Sequence, residues 1–287
     1  MGAGVRPPQP MASEKVKQLY EQLKQGVQEV FTSGKLEEFF AFQAKFHRYS
    51  FANTVMIFSQ CPHATMVAGY NRWKELGRYV KKGEKAIKIF APLTFKEKDP
   101  ETGEETGETI VKGFKVVNVF DVSQTDGKPL PTLAEAEYGD TAAGRELFDR
   151  LVAVSPVPVF VGRIGGGAGG HYSNNEGRIV LSENLTGNKL TAVLIHEICH
   201  ALAFRMGEQK RHKSRKDEEY VKGEIVAEGA AYVVGRYFGI DMPASFEYVA
   251  AWAKDPDRVI KYGTAVQKVA ARLIDLVEKA GKKAVAA

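Results

Sequence analysis

The sequence predicts an α+β protein of two domains. Three observations carry that reading. Helix-period segments precede two alternating, strand-like runs in the first half. A Pro/Gly-rich break follows at Asp126–Pro131. The second half is dominated by long helical segments, one of which contains His-Glu-Ile-Cys-His at 196–200. A chain of 287 residues with 44% hydrophobic content can build two modest domains around real cores.

The first half opens with a Gly/Pro-rich stretch over residues 1–12, expected to be flexible. Met11–Phe31 then spaces Val16, Leu19, Tyr20, Leu23, Val27 and Val30 along one helical face. Leu36–Phe46 and Ser50–Ser59 read as further helices, the latter stopped before Cys61-Pro62. A short helix from Tyr70 ends at a glycine turn, Gly77, and a second turn falls at Gly83. Ala86–Phe95 and Thr109–Val122 alternate as strands, with Asp99–Gly103 as a hairpin tip. Asp126–Pro131 interrupts the pattern and sits in a linker over 125–140.

The second half starts with a helix over Thr141–Val154 and a strand over Val157–Val161. The glycine stretch Gly162–Gly170 lacks the Gly-Lys-Ser/Thr ending of a nucleotide-binding P-loop and reads as a mobile loop or flap. Gly177–Ser182 is a strand that could pair with an extended peptide. Asn188–Met206 is the helix of the histidine motif, with Gly207 as its C-terminal cap. A basic loop follows at 209–216, then helices over Glu218–Tyr237, Ser245–Ala253 and Arg258–Ala280.

Composition narrows the class. No segment reaches the roughly 18–20 unbroken apolar residues of a membrane span. The first ten residues lack the apolar core of a signal peptide. The two cysteines, Cys61 and Cys199, do not suggest a disulfide framework, and Cys199 lies inside the histidine motif, where packing is its natural role. The expectation is a cytoplasmic protein with no membrane partner.

The motif carries the chemistry. Helical geometry stacks i and i+4, so His196 and His200 share a face and can grip one divalent ion, Zn2+ above all and Mn2+ as a second option. Glu197 stands beside the water that such an ion activates and is the expected general base. A catalytic site of this kind needs a third protein ligand. The helix over Glu218–Tyr237 offers Glu224 and Glu228, four apart on a small, apolar face. We assign Glu224 as the ligand and Glu228 as the acceptor that orients a histidine, although the reverse assignment satisfies the same spacing. Tyr172, His171, Tyr220 and Tyr232 are candidate oxyanion donors.

A second feature is electrostatic. Between Asn71 and Lys98 nine Lys/Arg residues stand against three acids, Glu75, Glu84 and Glu97. The whole chain has a net charge of only +5, so the basic character is local. Tyr70, Trp73, Tyr79, Phe90 and Phe95 interleave with these cations. That combination suits single-stranded nucleic acid, whose bases stack on aromatics while phosphates meet lysines. It also suits an ordinary core in which Trp73, Val80, Ile87 and Ile89 are buried and the lysines form the wet face. The candidate DNA contacts are Tyr70, Arg72, Trp73, Arg78, Tyr79, Lys81, Lys82 and Lys85.

These residues resemble a known family. Tyr49–Thr54, Gly69–Pro92 and Val119–Ser123 look like the N-terminal domain of ArdC-type antirestriction proteins. Tyr172-Ser173, Arg178–Leu181, the 196–200 motif and Tyr220–Glu228 are similar to their metallopeptidase domain. The likeness covers about residues 12–240. It departs at the loop His212–Arg215, which is shortened, and at the unusual glycine stretch 164–170. The resemblance implies a helical and β-sheet domain holding single-stranded DNA (1–124), a linker (125–140) and a mainly helical, gluzincin-like zincin domain with a small edge sheet (141–287). It implies an antirestriction protein of mobile elements that carries a zinc-dependent peptidase site acting on a protein substrate. It also favours Glu224 over Glu228 as ligand. Two rivals remain: a regulatory peptidase of the ImmA/IrrE class that cleaves a repressor, and a DNA-shielding protein whose metal is only structural.

Overall fold

The computed structural model of the chain describes residues 13–32, 35–99, 102, 104–130, 142–165, 168–210, 217–240, 242 and 256–285. The fold is mixed α and β. The chain divides into two compact units, residues 1–29 with 52–130, and residues 30–51 with 131–287. Among the described residues no helix is long and apolar enough to cross a membrane.

In the first unit, helix α1 (Glu14–Thr32) buries Val16, Leu19, Leu23 and Val27, the stripe its spacing dictates. Helix α3 (Phe51–Gln60) crosses it closely at Gly26, where an added Cβ would lie 2.4 Å from Ser59 Oγ. Strands β3 (Ile87–Lys98) and β4 (Glu105–Asp121) form the long hairpin, joined on the β4 side by β1 (Val67–Ala68). The tip closes with Asp99 N–H donating to the Glu104 carbonyl at... 2.8 Å.

The outer edge of β3 is covered by side chains rather than by another strand. Asn53 exchanges two hydrogen bonds with the backbone of Phe90, each 2.9 Å, and Gln60 does the same with Lys88, also 2.9 Å each. Each carboxamide imitates a neighbouring peptide group. Alternate residues face this edge, so Pro92 comes next, and its missing N–H is no loss there.

Between β1 and β3 lie the short helix α4 (Tyr70–Glu75) and strand β2 (Arg78–Val80). Gly77 and Gly83 adopt φ of 73° and 91°, as turn glycines do. β2 pairs antiparallel with β5 (Thr125–Gly127), matching Tyr79 to Asp126. This corrects the expectation of a break there: Asp126-Gly127 is part of a strand, and only from Lys128 onward does the chain leave the sheet. Gly127 has φ of 125° and its Cβ would lie 2.5 Å from the Gly77 carbonyl oxygen, so a residue that signals a turn here permits a tight strand contact. The buried Asp121 ties the turn Val122–Gln124 to the chain before β1, accepting from Ser123 N, Thr65 N and Met66 N. Burial alone would raise its pKa, but these hydrogen bonds win and lower it.

The second unit contains α2 (Leu36–Lys45), which sequence places in the first domain. Its buried Phe40 packs 6.1 Å from the Tyr232 ring on α7 (Glu218–Tyr237), and the Tyr232 hydroxyl donates to Glu37 at 3.0 Å. Local periodicity specifies that α2 is amphipathic but not which partner it meets. Helix α5 (Ala142–Val154) precedes a three-stranded sheet of order β6 (Val159–Gly162), β8 (Arg178–Ser182), β7 (Gly170–Ser173). β8 runs parallel to β6 and antiparallel to β7. Helices α6 (Gly187–Arg205), α7 and α8 (Pro256–Val285) complete the unit. α7 and α8 approach closely where a Cβ on Gly229 would lie 2.9 Å from Val266 Cγ2.

Of the remaining expectations, the helix at 245–253, most of the loop at 209–216 and the linker residues 131–140 lie outside the described residues.

Candidate metal centre

Helix α6 is buried along most of its length, and Ile195, Ile198 and Cys199 are fully enclosed. Cys199 is thus a packing residue whose thiol burial pushes its pKa up. The same helical phase turns His196 and His200 to one side. Their rings meet edge to face with centroids 4.7 Å apart, and their Nε2 atoms are 3.1 Å apart. From α7, Glu224 brings Oε2 to 3.5 Å from His200 Nε2. One donor atom from each of His196, His200 and Glu224 lies within 4.8 Å of the others.

These donors fit a divalent ion. Two ligand atoms about 2.0–2.1 Å from a tetrahedral zinc stand about 3.3 Å apart, close to the separations found. Two imidazoles and a carboxylate also leave a fourth position open, as a catalytic site requires. Glu228, one turn further along α7, is not among the three converging donors.

The electrostatics suit the same purpose. Burial, helped by the neighbouring His200, lowers the His196 pKa to about 4, so it stays neutral and able to ligate. Burial opposes charge on His200 too, yet the hydrogen bond and charge of Glu224 raise its pKa. Burial also works against the Glu224 carboxylate, but hydrogen bonds with His200 and Tyr220 hold its pKa down to about 2. Glu197, 7% exposed, has its pKa raised by burial, partly offset by His200 and by the backbone N–H of Tyr172.

Strand β7, which sequence reading missed, supplies that N–H. Ser182 N donates to the Gly169 carbonyl at 2.8 Å, so by alternation Gly170 and Tyr172 turn their peptide groups to the open edge of β7. That edge faces Glu197. The approach depends on Gly170, where a Cβ would lie 2.6 Å from Val193 Cγ1 and 3.3 Å from Glu197 Cγ. The end of the glycine run, at Gly170, is the sequence feature that marks this strand. A further correction follows: β8 is paired on both sides and cannot accept a peptide strand, whereas among the described residues no strand pairs with the other edge of β7.

The oxyanion candidates separate. Tyr232 is 4% exposed and bonded to Glu37, away from the metal donors. His171 is exposed, and the Tyr172 hydroxyl donates to Asn174 at 3.2 Å. Tyr220 hydrogen-bonds Glu224, one of the three donors. A residue the sequence did not single out, Gln209, places Oε1 3.3 Å from His200 Nδ1.

In the first unit the basic window resolves into two groups. Trp73 is fully buried and its indole N–H donates to the Phe120 carbonyl at 2.9 Å, which corrects its assignment as a stacking residue. Arg78 is also structural. Its guanidinium binds Thr125 Oγ1 at 2.8 Å, the Lys128 carbonyl at 2.6 Å and the Thr125 carbonyl at 3.0 Å, stapling β2 to β5. Arg72 pairs with Glu75 at 2.8 Å on the surface. Tyr70 and Tyr79 are half exposed, and Lys81, Lys82 and Lys85 are exposed.

Comparison with known proteins now bears on this arrangement. Residues 9–122 match the family model of the N-terminal domain of anti-restriction factor ArdC. That part of the chain is an ArdC-type N-terminal domain. Its fold is similar to the crystal structure of the antirestriction ArdC protein from the R388 plasmid in the Mn(II)-bound form. That match has a TM-score of 0.62 and 18% identity, over 91% of this chain and 97% of that one. The metal-free form of the same protein matches with a TM-score of 0.55 and 21% identity, over 82% and 86% of the two chains. An uncharacterized protein of Bacillus anthracis is 28% identical over 83% of this chain. The chain spans 47% of that relative's length, about half.

Proposed function

We propose that this protein is an ArdC-type antirestriction protein that binds single-stranded DNA and carries a metal-dependent peptidase site. The observation that carries the peptidase half is the convergence of His196, His200 and Glu224 beside the buried, backbone-tethered Glu197. The Mn(II)-bound R388 relative supports a divalent ion. We favour zinc as the working ion, because two imidazoles and one carboxylate with an open position suit it.

His196, His200 and Glu224 would hold the ion. When bound, it supplies Lewis-acid polarisation of the scissile carbonyl and makes water a stronger nucleophile. Glu197 accepts a proton on its carboxylate and passes it to the leaving nitrogen of the peptide bond. Its raised pKa brings it nearer to the working pH than an ordinary glutamate, which suits both transfers. The Tyr172 N–H fixes which carboxylate oxygen is free for this. The open edge of β7 can hold an extended polypeptide by main-chain hydrogen bonds, in a gluzincin-like arrangement.

The DNA half rests on the ArdC family match and on the exposed set Tyr70, Tyr79, Lys81, Lys82 and Lys85. Bases would stack on the two tyrosines while the lysines follow phosphates. The test is paired. Glu197→Gln should abolish cleavage of host proteins, read by terminal-peptide mass spectrometry, and leave single-strand binding unchanged. Retention of full protective activity by Glu197→Gln would instead assign the biological role to shielding alone.

A further inference from the structure

We propose that Gln209 is a positioning residue of the metal centre, acting through His200, and that Gly223 exists to seat it. The inference rests on the metal-dependent reading above. His200 points Nε2 into the donor cluster, 3.1 Å from His196 and 3.5 Å from Glu224, so Nδ1 is the nitrogen left to face outward. Gln209 Oε1 meets that nitrogen at 3.3 Å. A carboxamide oxygen can only accept, so it selects the tautomer with hydrogen on Nδ1. The lone pair is then left on Nε2, where the ion would sit.

The backbone delivers Gln209 by a specific device. α6 ends at Met206 as C-cap, and Gly207 takes φ of 73°. Gly207 N–H donates to the Phe204 carbonyl at 3.1 Å and Glu208 N–H to the Ala203 carbonyl at 2.9 Å, the paired bonds of a Schellman motif. Gln209 N–H adds a bond to the same Ala203 carbonyl at 3.1 Å. The chain therefore folds back along α6 instead of leaving it, and Gln209 returns beside His200, nine residues behind it in sequence. Glu208 pins the turn to α8 through Lys268 at 2.7 Å.

Gly223 completes the seat. It lies inside α7, where glycine is a poor helix former, and it directly precedes Glu224. A Cβ at 223 would lie 2.3 Å from Gln209 Nε2 and 2.5 Å from Gln209 Cδ. The absence of a side chain at 223 lets the amide lie flat against α7. Any other residue would push the amide off and take Oε1 away from His200. The element that provides a ligand thus also sets the orientation of a second ligand.

The experiment measures Zn2+ binding to the full chain by competition with a chromogenic chelator. Wild type, Gln209→Ala, Gln209→Glu, Gly223→Ala and the double variant Gln209→Ala/Gly223→Ala are compared. Gln209→Ala should weaken zinc binding by about 10–100-fold, with the melting temperature of the metal-free chain unchanged. Gln209→Glu, which keeps an acceptor oxygen, should restore most of it. Gly223→Ala should lose as much as Gln209→Ala, despite a better helix former, and the double variant should lose no more than either single one. In zinc-loaded, nitrogen-15-labelled protein, the His200 Nδ1–H resonance should be slowed in exchange by Gln209 and fast in Gln209→Ala. Zinc binding by Gln209→Ala within twofold of wild type, with the same Nδ1–H signal, overturns the assignment. Wild-type protein that takes up no zinc overturns the metal site itself and this proposal with it.

Discussion

Gly170→Ala tests whether β7 is built to touch Glu197, the proposed general base. The substitution adds one methyl, and φ at 170 lies outside the left-handed region, so backbone strain is not the issue. The methyl would sit 2.6 Å from Val193 Cγ1, and 3.3 Å from both Glu197 Cγ and Leu181 Cδ2. Carbon atoms prefer about 3.5–4.0 Å, so β7 and α6 must part by about 1 Å. Overpacking of this kind costs about 1–3 kcal/mol. For a domain of 150–250 residues each kcal/mol lowers Tm by about 2–4 °C. The second effect is chemical. Separation weakens the Tyr172 N–H hydrogen bond, one of the influences that oppose the burial-driven rise of the Glu197 pKa. The acid limb of the kcat pH profile should therefore move to higher pH, while zinc affinity holds, because His196, His200 and Glu224 are untouched. Scanning calorimetry, chelator competition and a pH–rate profile on an identified substrate read the three quantities. Wild-type Tm together with an unmoved acid limb would refute the argument.

Four other outcomes follow from the same structure. Trp73→Ala should destabilise by about 3–5 kcal/mol, as a fully buried indole with a bonded N–H demands, and Trp73→Phe should keep single-strand binding intact. Tyr79→Ala should weaken single-strand binding by about 1–3 kcal/mol, and each of Lys81→Ala and Lys82→Ala should reduce the salt slope by about 0.7, whereas Arg78→Lys should lower Tm with little change in affinity. The metal-free chain should be acid-labile. The His196 pKa of about 4 lies below its ordinary 6.5, so between those values the unfolded chain binds a proton that the folded one does not, and stability falls with falling pH. His196 alone would give a full loss of about 3 kcal/mol below its folded pKa; the raised pKa of His200 works the other way, so urea titrations of metal-free protein from pH 7 to 4 should show a smaller net loss. Saturating zinc at pH 7 should raise stability by about 2.7 kcal/mol at 100 times Kd.

How much of this was legible in the sequence depended on how far each feature reaches along the chain. The helices α1, α3, α6 and α7 declare themselves through local periodicity, and their bounds fall within a few residues of expectation. The His196–His200 pair is a local fact of helical geometry. Glu224 needed only one further step, since two acids on a small, apolar face require a partner. The misses are non-local. β1, β2 and β5 are two or three residues long, too short for any period to register. Trp73 and Arg78 sit among lysines in sequence, and only the placement of Phe120, Thr125 and Lys128, some fifty residues on, turns them inward. α2 looked like part of the first domain because it lies between α1 and α3, but its Phe40 packs on Tyr232 of α7, nearly 200 residues away.

The residues hardest to read were glycines, and they shape the candidate site most. Gly170 lets a strand reach Glu197, and Gly223 lets an amide lie against the helix that bears Glu224. Gly207 reverses the chain so that the amide arrives at all. Each acts by leaving space or by adopting a positive φ, and neither property has a charge, a periodicity or a donor atom that a motif could display. The distinction is physical. Ligand spacing identifies what can hold an ion, whereas orientation of those ligands is decided by close approaches between α6, β7 and α7. It follows that a chain carrying His196, Glu197, His200 and Glu224 but bulkier residues at 170 and 223 would keep its donors and lose the seat of Glu197 and the orientation of His200. Grafting those two bulkier residues as alanines, with the donors intact, separates possession of the motif from a working centre.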